Sequence, residues 1–162
     1  MKTLTRKEFY NTTPEEVFPV LDDLGVTGTH MTTSSAMMMG SKLHLEYLTP
    51  HRTGLDSSYR WTGKMMGLPM DFTVKVVKWI NGREKVWETI GPTKLIIYSW
   101  YRMILKVSGV KNGTEAELSI AYEKPQGFFN KILCFLFADW YCRWCLRKML
   151  VDAKVTIEIK KA

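Results

Sequence analysis

Between Ser41 and Tyr122 apolar and polar residues alternate in runs, the two-residue period of strands that bury one face. Leu43, Leu45 and Tyr47 alternate with Lys42, His44 and Glu46. Tyr59, Trp61, Gly63 and Met65 then oppose Arg60, Thr62 and Lys64, and Met70, Phe72, Val74 and Val76 oppose Asp71, Thr73 and Lys75. Leu95 to Val107 predicts a long strand with Ile97, Tyr101, Met103 and Leu105 inward and Arg102 and Lys106 outward. Thr114 to Tyr122 predicts another, with Ala116, Leu118, Ile120 and Tyr122 inward. From Lys85 to Ile90 the phase stays open: either Trp87, or Val86 with Ile90, faces in. Turn residues separate these runs at Pro50 to Gly54, Gly67-Leu68-Pro69, Asn81-Gly82 and Asn112-Gly113, and Gly91-Pro92 is expected to break the ladder.

The two ends of the chain follow other rules. Thr3 to Tyr10 reads as a first strand. Thr13-Pro14-Glu15-Glu16 predicts a helix start, with Thr13 as N-cap, Pro14 at the first helical position and Glu16 closing a capping box. Val17, Val20, Leu21 and Leu24 continue at helical steps until Gly25. Val26 to Gly40 keeps neither period, and reads as a short helical turn and an irregular connection into the sheet. Gly127 to about Lys160 predicts one long helix that is apolar almost all the way round, beginning Phe128, Phe129, Ile132, Leu133, Cys134, Phe135. Such a helix must be gripped by a concave surface, enter a membrane or meet a partner. Asn130, Lys131, Asp139 and Arg143 interrupt it, and a charge at mid-span costs roughly 2.5 to 3.5 kcal/mol, which excludes a span. The grip is therefore assigned to the sheet, with Trp140 and Trp144 enclosed and Asp139 paired with Arg143 four residues on.

The predicted fold is α+β: a curved antiparallel sheet of about seven strands wrapped around a long C-terminal helix, with one or two short helices after the first strand, in a single domain over 1–162. The element order, the Thr13-Pro14-Glu15-Glu16-Val17-Phe18 helix start, Gly113-Thr114 opening the last strand and Pro125 before the long helix resemble the START-like superfamily, also called SRPBCC or polyketide cyclase/dehydrase and lipid-transport proteins. His30-Met31, Met37-Met38-Met39-Gly40, Lys85-Val86-Trp87-Glu88-Thr89 with Gly91-Pro92, Tyr101-Arg102-Met103 and Arg143-Trp144-Cys145 are similar to one uncharacterised bacterial branch of it. The resemblance covers essentially the whole chain and implies a helix-grip fold. Its members include lipid carriers, hormone receptors and cyclases, so it implies no single activity.

In such an architecture the gap between sheet and helix becomes a mostly apolar pocket. Its expected lining from the sheet is Tyr59, Trp61, Met70, Phe72, Val74, Tyr101, Met103, Leu118, Ile120 and Tyr122. From the long helix come Phe129, Leu133, Trp140 and Trp144, and from the irregular segment His30 and Met38. A solid core is the competing expectation for the same residues. The methionines Met31, Met37, Met38, Met39, Met65, Met66, Met70 and Met103 suit a wall that adapts to an apolar guest, or ordinary gap-filling.

Reaction chemistry is thinly represented. No GxSxG, P-loop or GxGxxG motif occurs, and the histidines, His30, His44 and His51, are spread without zinc-site spacing. No metal and no cofactor is expected. Cys142-Arg143-Trp144-Cys145 has CxxC spacing but lies deep in a helix, where structural cysteines are expected. The leading expectation is a non-enzymatic protein that binds or carries a hydrophobic small molecule such as a lipid, polyketide-like or aromatic compound. The alternative is a cyclase or dehydratase on a polyketide-like substrate, drawing on His30, Tyr59, Tyr101 and Arg102, with Glu88 if its face turns inward; no residue is assigned a catalytic role.

Composition adjusts this picture at the margins. The chain has 162 residues, 46% hydrophobic and 24% charged, which is a folded composition. The net charge of +7 is scattered without a run of five, against a nucleic-acid partner and compatible with transient contact at an anionic membrane surface. Three cysteines without a pairing framework and a polar Met1 to Lys7 lead to the expectation of a cytoplasmic protein. The sequence leaves the oligomeric state open.

Overall fold

The computed structural model describes residues 1–33, 42–65 and 67–162. The chain runs β1 (Lys2–Tyr10), α1 (Pro14–Asp22), α2 (Leu24–Thr27), α3 (Thr29–Thr32), β2 (Leu43–Tyr47), β3 (Ser58–Met65), β4 (Leu68–Ile80), β5 (Glu84–Lys94), β6 (Trp100–Val110), β7 (Gly113–Glu123) and α4 (Phe128–Lys161). One seven-stranded antiparallel sheet has the order β1-β7-β6-β5-β4-β3-β2 and does not close, so β1 and β2 are its edges. Strands β2 to β7 form a meander, and β1 returns to pair with β7 over its whole length, Lys2 opposite Tyr122 and Tyr10 opposite Thr114. That pairing needs Gly113, because a Cβ there would stand 2.3 Å from the Tyr10 carbonyl oxygen.

Alternation sets the strand phases as expected: Tyr59, Trp61, Met65, Met70, Phe72, Val74, Val76, Tyr101, Met103, Leu105, Leu118, Ile120 and Tyr122 are all buried. In β5 the phase falls to Trp87, which joins the core, whereas Ile90 is exposed. Gly91-Pro92 does not end that strand. Gly91 takes a φ of 66° and the register shifts between Asp71 and Thr73 of β4, so the dipeptide is absorbed as an irregularity and β5 reaches Lys94. β6 in turn begins at Trp100 rather than Leu95.

Helix α1 starts with Thr13 as N-cap and Pro14 behind it, but no capping box forms: the Thr13 side chain makes no cap bond, and Glu16 accepts from the Thr12 hydroxyl instead. The helix stops at Asp22, three residues before Gly25, because the Asp23 carboxylate accepts from the Gly25 N–H at 2.8 Å and starts α2. Under α1 lies a buried ion pair that alternation did not foresee. Lys85 Nζ stands 2.7 Å from Asp22 Oδ1 and donates to the Asp22 carbonyl at 3.0 Å, while the Trp79 indole N–H donates to Asp22 Oδ2 at 3.0 Å. Burial pulls the Lys85 ammonium below its usual value, with Asp22 opposing.

Helix α4 is 34 residues long and packs against β1, β7 and all three short helices. Its second half is gripped: Leu146, Met149, Leu150, Ala153 and Ile157 are buried, and Tyr10 donates from its hydroxyl to the Leu150 carbonyl at 2.7 Å. Its first half departs from expectation. Only Cys134, Ala138, Tyr141 and Cys142 are buried there, and Trp140 is 52% exposed, so that indole is not enclosed by the sheet. Asp139 does not pair with Arg143; it takes Lys2 of β1 and the Tyr122 hydroxyl, the latter at 2.5 Å, and both hold its carboxyl below the usual range.

Candidate functional site

Between the sheet and α4 the described residues enclose a small cavity of about 40 Å³. From the sheet it is lined by Met70 and Phe72 of β4, Tyr101 and Met103 of β6 and Ile120 of β7, with Tyr98 from the segment before β6. From above, α4 contributes Tyr141, Cys142, Cys145, Leu146 and Met149, and α3 contributes His30 and Met31. A volume of that size holds a few waters at most, whereas pockets for small organic ligands run from roughly 300 to 1,000 Å³.

Six residues expected from the alternation and the irregular segment therefore meet around one space: His30, Met70, Phe72, Tyr101, Met103 and Ile120. Tyr59, Trp61, Val74 and Leu118 are buried in solid core beside it. Tyr122 stays on the buried, helix-facing side of β7, and only its hydroxyl reaches a neighbouring groove, where it donates to Asp139. Leu133 and Trp144 pack on the core edge without lining the cavity. Phe129, 64% exposed, and Trp140 are corrections: α4 turns small Cys134 and Ala138 toward the sheet at that level, which leaves the aromatic side chains outside. Met38 lies outside the described residues, as do Met37, Met39 and Met66. Arg102 and Glu88 pair with each other at 2.6 Å on the outer face and do not reach the cavity.

The residues that pattern reading missed are Tyr98, Tyr141, Leu146 and Met149 with the two cysteines. Tyr98 packs edge-on against Tyr101 at 5.6 Å between ring centroids and tilts against Tyr122 at 5.7 Å, so it joins the tyrosines of β6 and β7 in one cluster under α4. Phe72 closes the cluster edge-on to Tyr101 at 6.0 Å. Burial pushes the hydroxyls of Tyr98, Tyr101 and Tyr141 far above their usual value and the Cys145 thiol up to about 12, so all stay protonated at neutral pH.

His30 occupies the boundary of this site. It is 4% exposed, packs edge-on to Trp144 at 5.3 Å, and lines both the inner cavity and an outer groove of about 370 Å³ between α2–α3 and the second half of α4. Lys148 and Asp152, paired at 3.1 Å, line that groove. The Thr27 backbone lies near enough to favour a protonated ring, yet neither ring nitrogen has a partner at hydrogen-bond geometry among the described residues. Burial prevails over Thr27 and Asp152 and brings the imidazole down to about 4, so it is neutral at pH 7. No Asp, Glu, Lys or Arg of the described residues lines the cavity, and among those residues no group of three or more His, Cys, Asp and Glu is placed to hold a metal ion.

A seven-stranded antiparallel sheet gripping a long C-terminal helix, with short helices after β1, is the START-like helix-grip fold. Solved structures share it from end to end. The TTHA0849 protein of Thermus thermophilus matches with a TM-score of 0.74 and 14% identity over 99% of this chain and 100% of its own. The Zhui aromatase/cyclase of Streptomyces sp. R1128 matches with a TM-score of 0.75 and 9% identity over 99% and 96%. Norcoclaurine synthase of Thalictrum, a point mutant in complex with a transition-state analogue, matches with 0.66 and 15% over 99% and 96%. No family model and no curated protein sequence matches the chain.

Proposed function

We propose that this protein binds a neutral, largely apolar small molecule between its sheet and α4, taken in through the groove that His30 and Trp144 close. The observation that carries the reading is the composition of the wall: four methionines, Met31, Met70, Met103 and Met149, surround a residual cavity together with an imidazole that has no partner at hydrogen-bond geometry among the described residues. Unbranched thioethers change rotamer at little cost, so this wall can widen around a guest where branched side chains would resist. An unpaired buried imidazole costs free energy that a ligand hydroxyl or carbonyl would recover. Because the lining carries no charge, a charged guest would be desolvated without compensation. Two proteins of this fold are named for work on small organic molecules, the aromatase/cyclase and norcoclaurine synthase, which supports the same reading.

The proton affinities are compatible with binding. An imidazole held at about 4 is a weak base at neutral pH, and tyrosines raised far above 10 stay protonated as hydrogen-bond donors. Native mass spectrometry of protein purified from its own host tests the proposal. A non-covalent adduct of a neutral organic mass, removed by solvent extraction, is expected. Bare chain alone, with no adduct after incubation with 2-naphthol, would overturn it.

A further inference from the structure

The first half of α4 is built inside out. Its sheet-facing side carries the small Cys134, Ala138 and Cys142 with Tyr141 as its one large side chain, while Phe128, Phe129 and Phe135 stand 82%, 64% and 88% exposed, joined by half-exposed Leu136 and Trp140. Packing against the sheet does not use these side chains, and a surface aromatic cluster of this kind marks an interaction face. What surrounds it is basic. Lys2 and Lys124 line one open groove of about 800 Å³ with Phe135, and Lys131 and Arg143 are exposed on the same stretch of helix. The acids at this end are Glu123 and Asp139; Asp139 pairs with Lys2 and Glu123 offsets Lys124, so the positive excess comes from Lys131 and Arg143.

We propose that this face docks on an anionic membrane surface, with α4 lying along the interface, its phenyl rings in the acyl boundary and the lysines at the headgroups. A helix with aromatic side chains on one side and flanking cations has the two components that interfacial attachment uses, buried apolar area and attraction to negative lipid. No helix among the described residues is long and apolar enough to cross a membrane, so the contact is peripheral. A second copy of the chain is a poorer occupant, since a two-fold pairing would bring these lysines together.

Co-sedimentation of the full chain with vesicles of phosphatidylcholine, with and without phosphatidylglycerol, tests the assignment. The chain is expected to pellet with the anionic vesicles, to stay in solution with the neutral ones, and to dissociate as salt is raised. Phe128→Ser/Phe129→Ser/Phe135→Ser should weaken binding by at least about tenfold, as should Lys124→Glu/Lys131→Glu, both with an unchanged thermal melt. The proposal is overturned if the chain stays in solution with anionic vesicles, or if both variants, folded, bind as the parent does. A dimer by light scattering that the phenyl-to-serine variant disperses would also overturn it, and would give the face to a second copy.

Discussion

His30 links the surface groove to the interior, and its burial makes it the residue most sensitive to acid. An imidazole brought down to about 4 in the folded chain binds its proton less readily there than in the unfolded chain, where it titrates near 6.5. Stability is therefore unaffected by this group above pH 6.5, and falls as pH drops from 6.5 to 4, by at most about 3 kcal/mol. Denaturant titrations across that window should show the slope in the parent chain and lose it in His30→Gln; an identical slope in both would show that other groups carry it. At this scale the sequence was informative where alternation holds. Phe72, Tyr101, Met103 and Ile120 reach the cavity because each sits on the inward phase of its strand. Tyr98 was missed because it precedes the strand that was expected to contain it, so its ring escapes the alternation and turns in on Tyr101 and Tyr122.

Between elements, the join of α1 to the sheet rests on Asp22 and Lys85, whose side chains are 5% and 2% exposed. Lys85 also stands 5.1 Å from the centroid of the Trp87 ring, so the ammonium is surrounded by one carboxylate, one carbonyl and an aromatic face. Removing the carboxylate would strand a buried cation. Asp22→Asn is expected to cost about 3 to 5 kcal/mol in urea denaturation at an unchanged m-value, and Asp22→Asn/Lys85→Met to recover part of it; a loss below about 1 kcal/mol would show the pair to be solvated. Nothing local announces this pair, because Lys85 follows a hairpin turn and its partner is 63 residues away. The orientation of α4 was illegible for a different reason. A helix with apolar residues all round offers no periodic minimum to choose its buried side, so length and termini could be read while the facing arc could not.

At the scale of the molecule, the sheet stays open, and among the described residues the methionine-lined cavity beneath α4 is the space the proposed guest would enter. The uncharged lining predicts discrimination by charge. At about a hundred times its Kd, 2-naphthol should stabilise the fold by about 2.7 kcal/mol, or roughly 5 to 10 °C in Tm, whereas naphthalene-2-sulfonate should leave the melt where it is. Equal shifts from both would place binding at the cationic exterior. The order of the elements was legible because alternation marks most strands, turn residues separate them, and an unbroken apolar run too long for a strand marks the terminal helix. The extent of free space was not, since it depends on how side chains of nearly the same volume mesh across elements far apart in sequence. The inverted size order on α4 has one more consequence. Cysteine and alanine let the helix axis ride close to β7 and β1, and the bulky rings beyond them lend the native state almost no cohesion. Exchanging those rings for hydroxyls is expected to ease handling at high concentration and leave the melting curve in place, as side chains that the fold itself barely uses would.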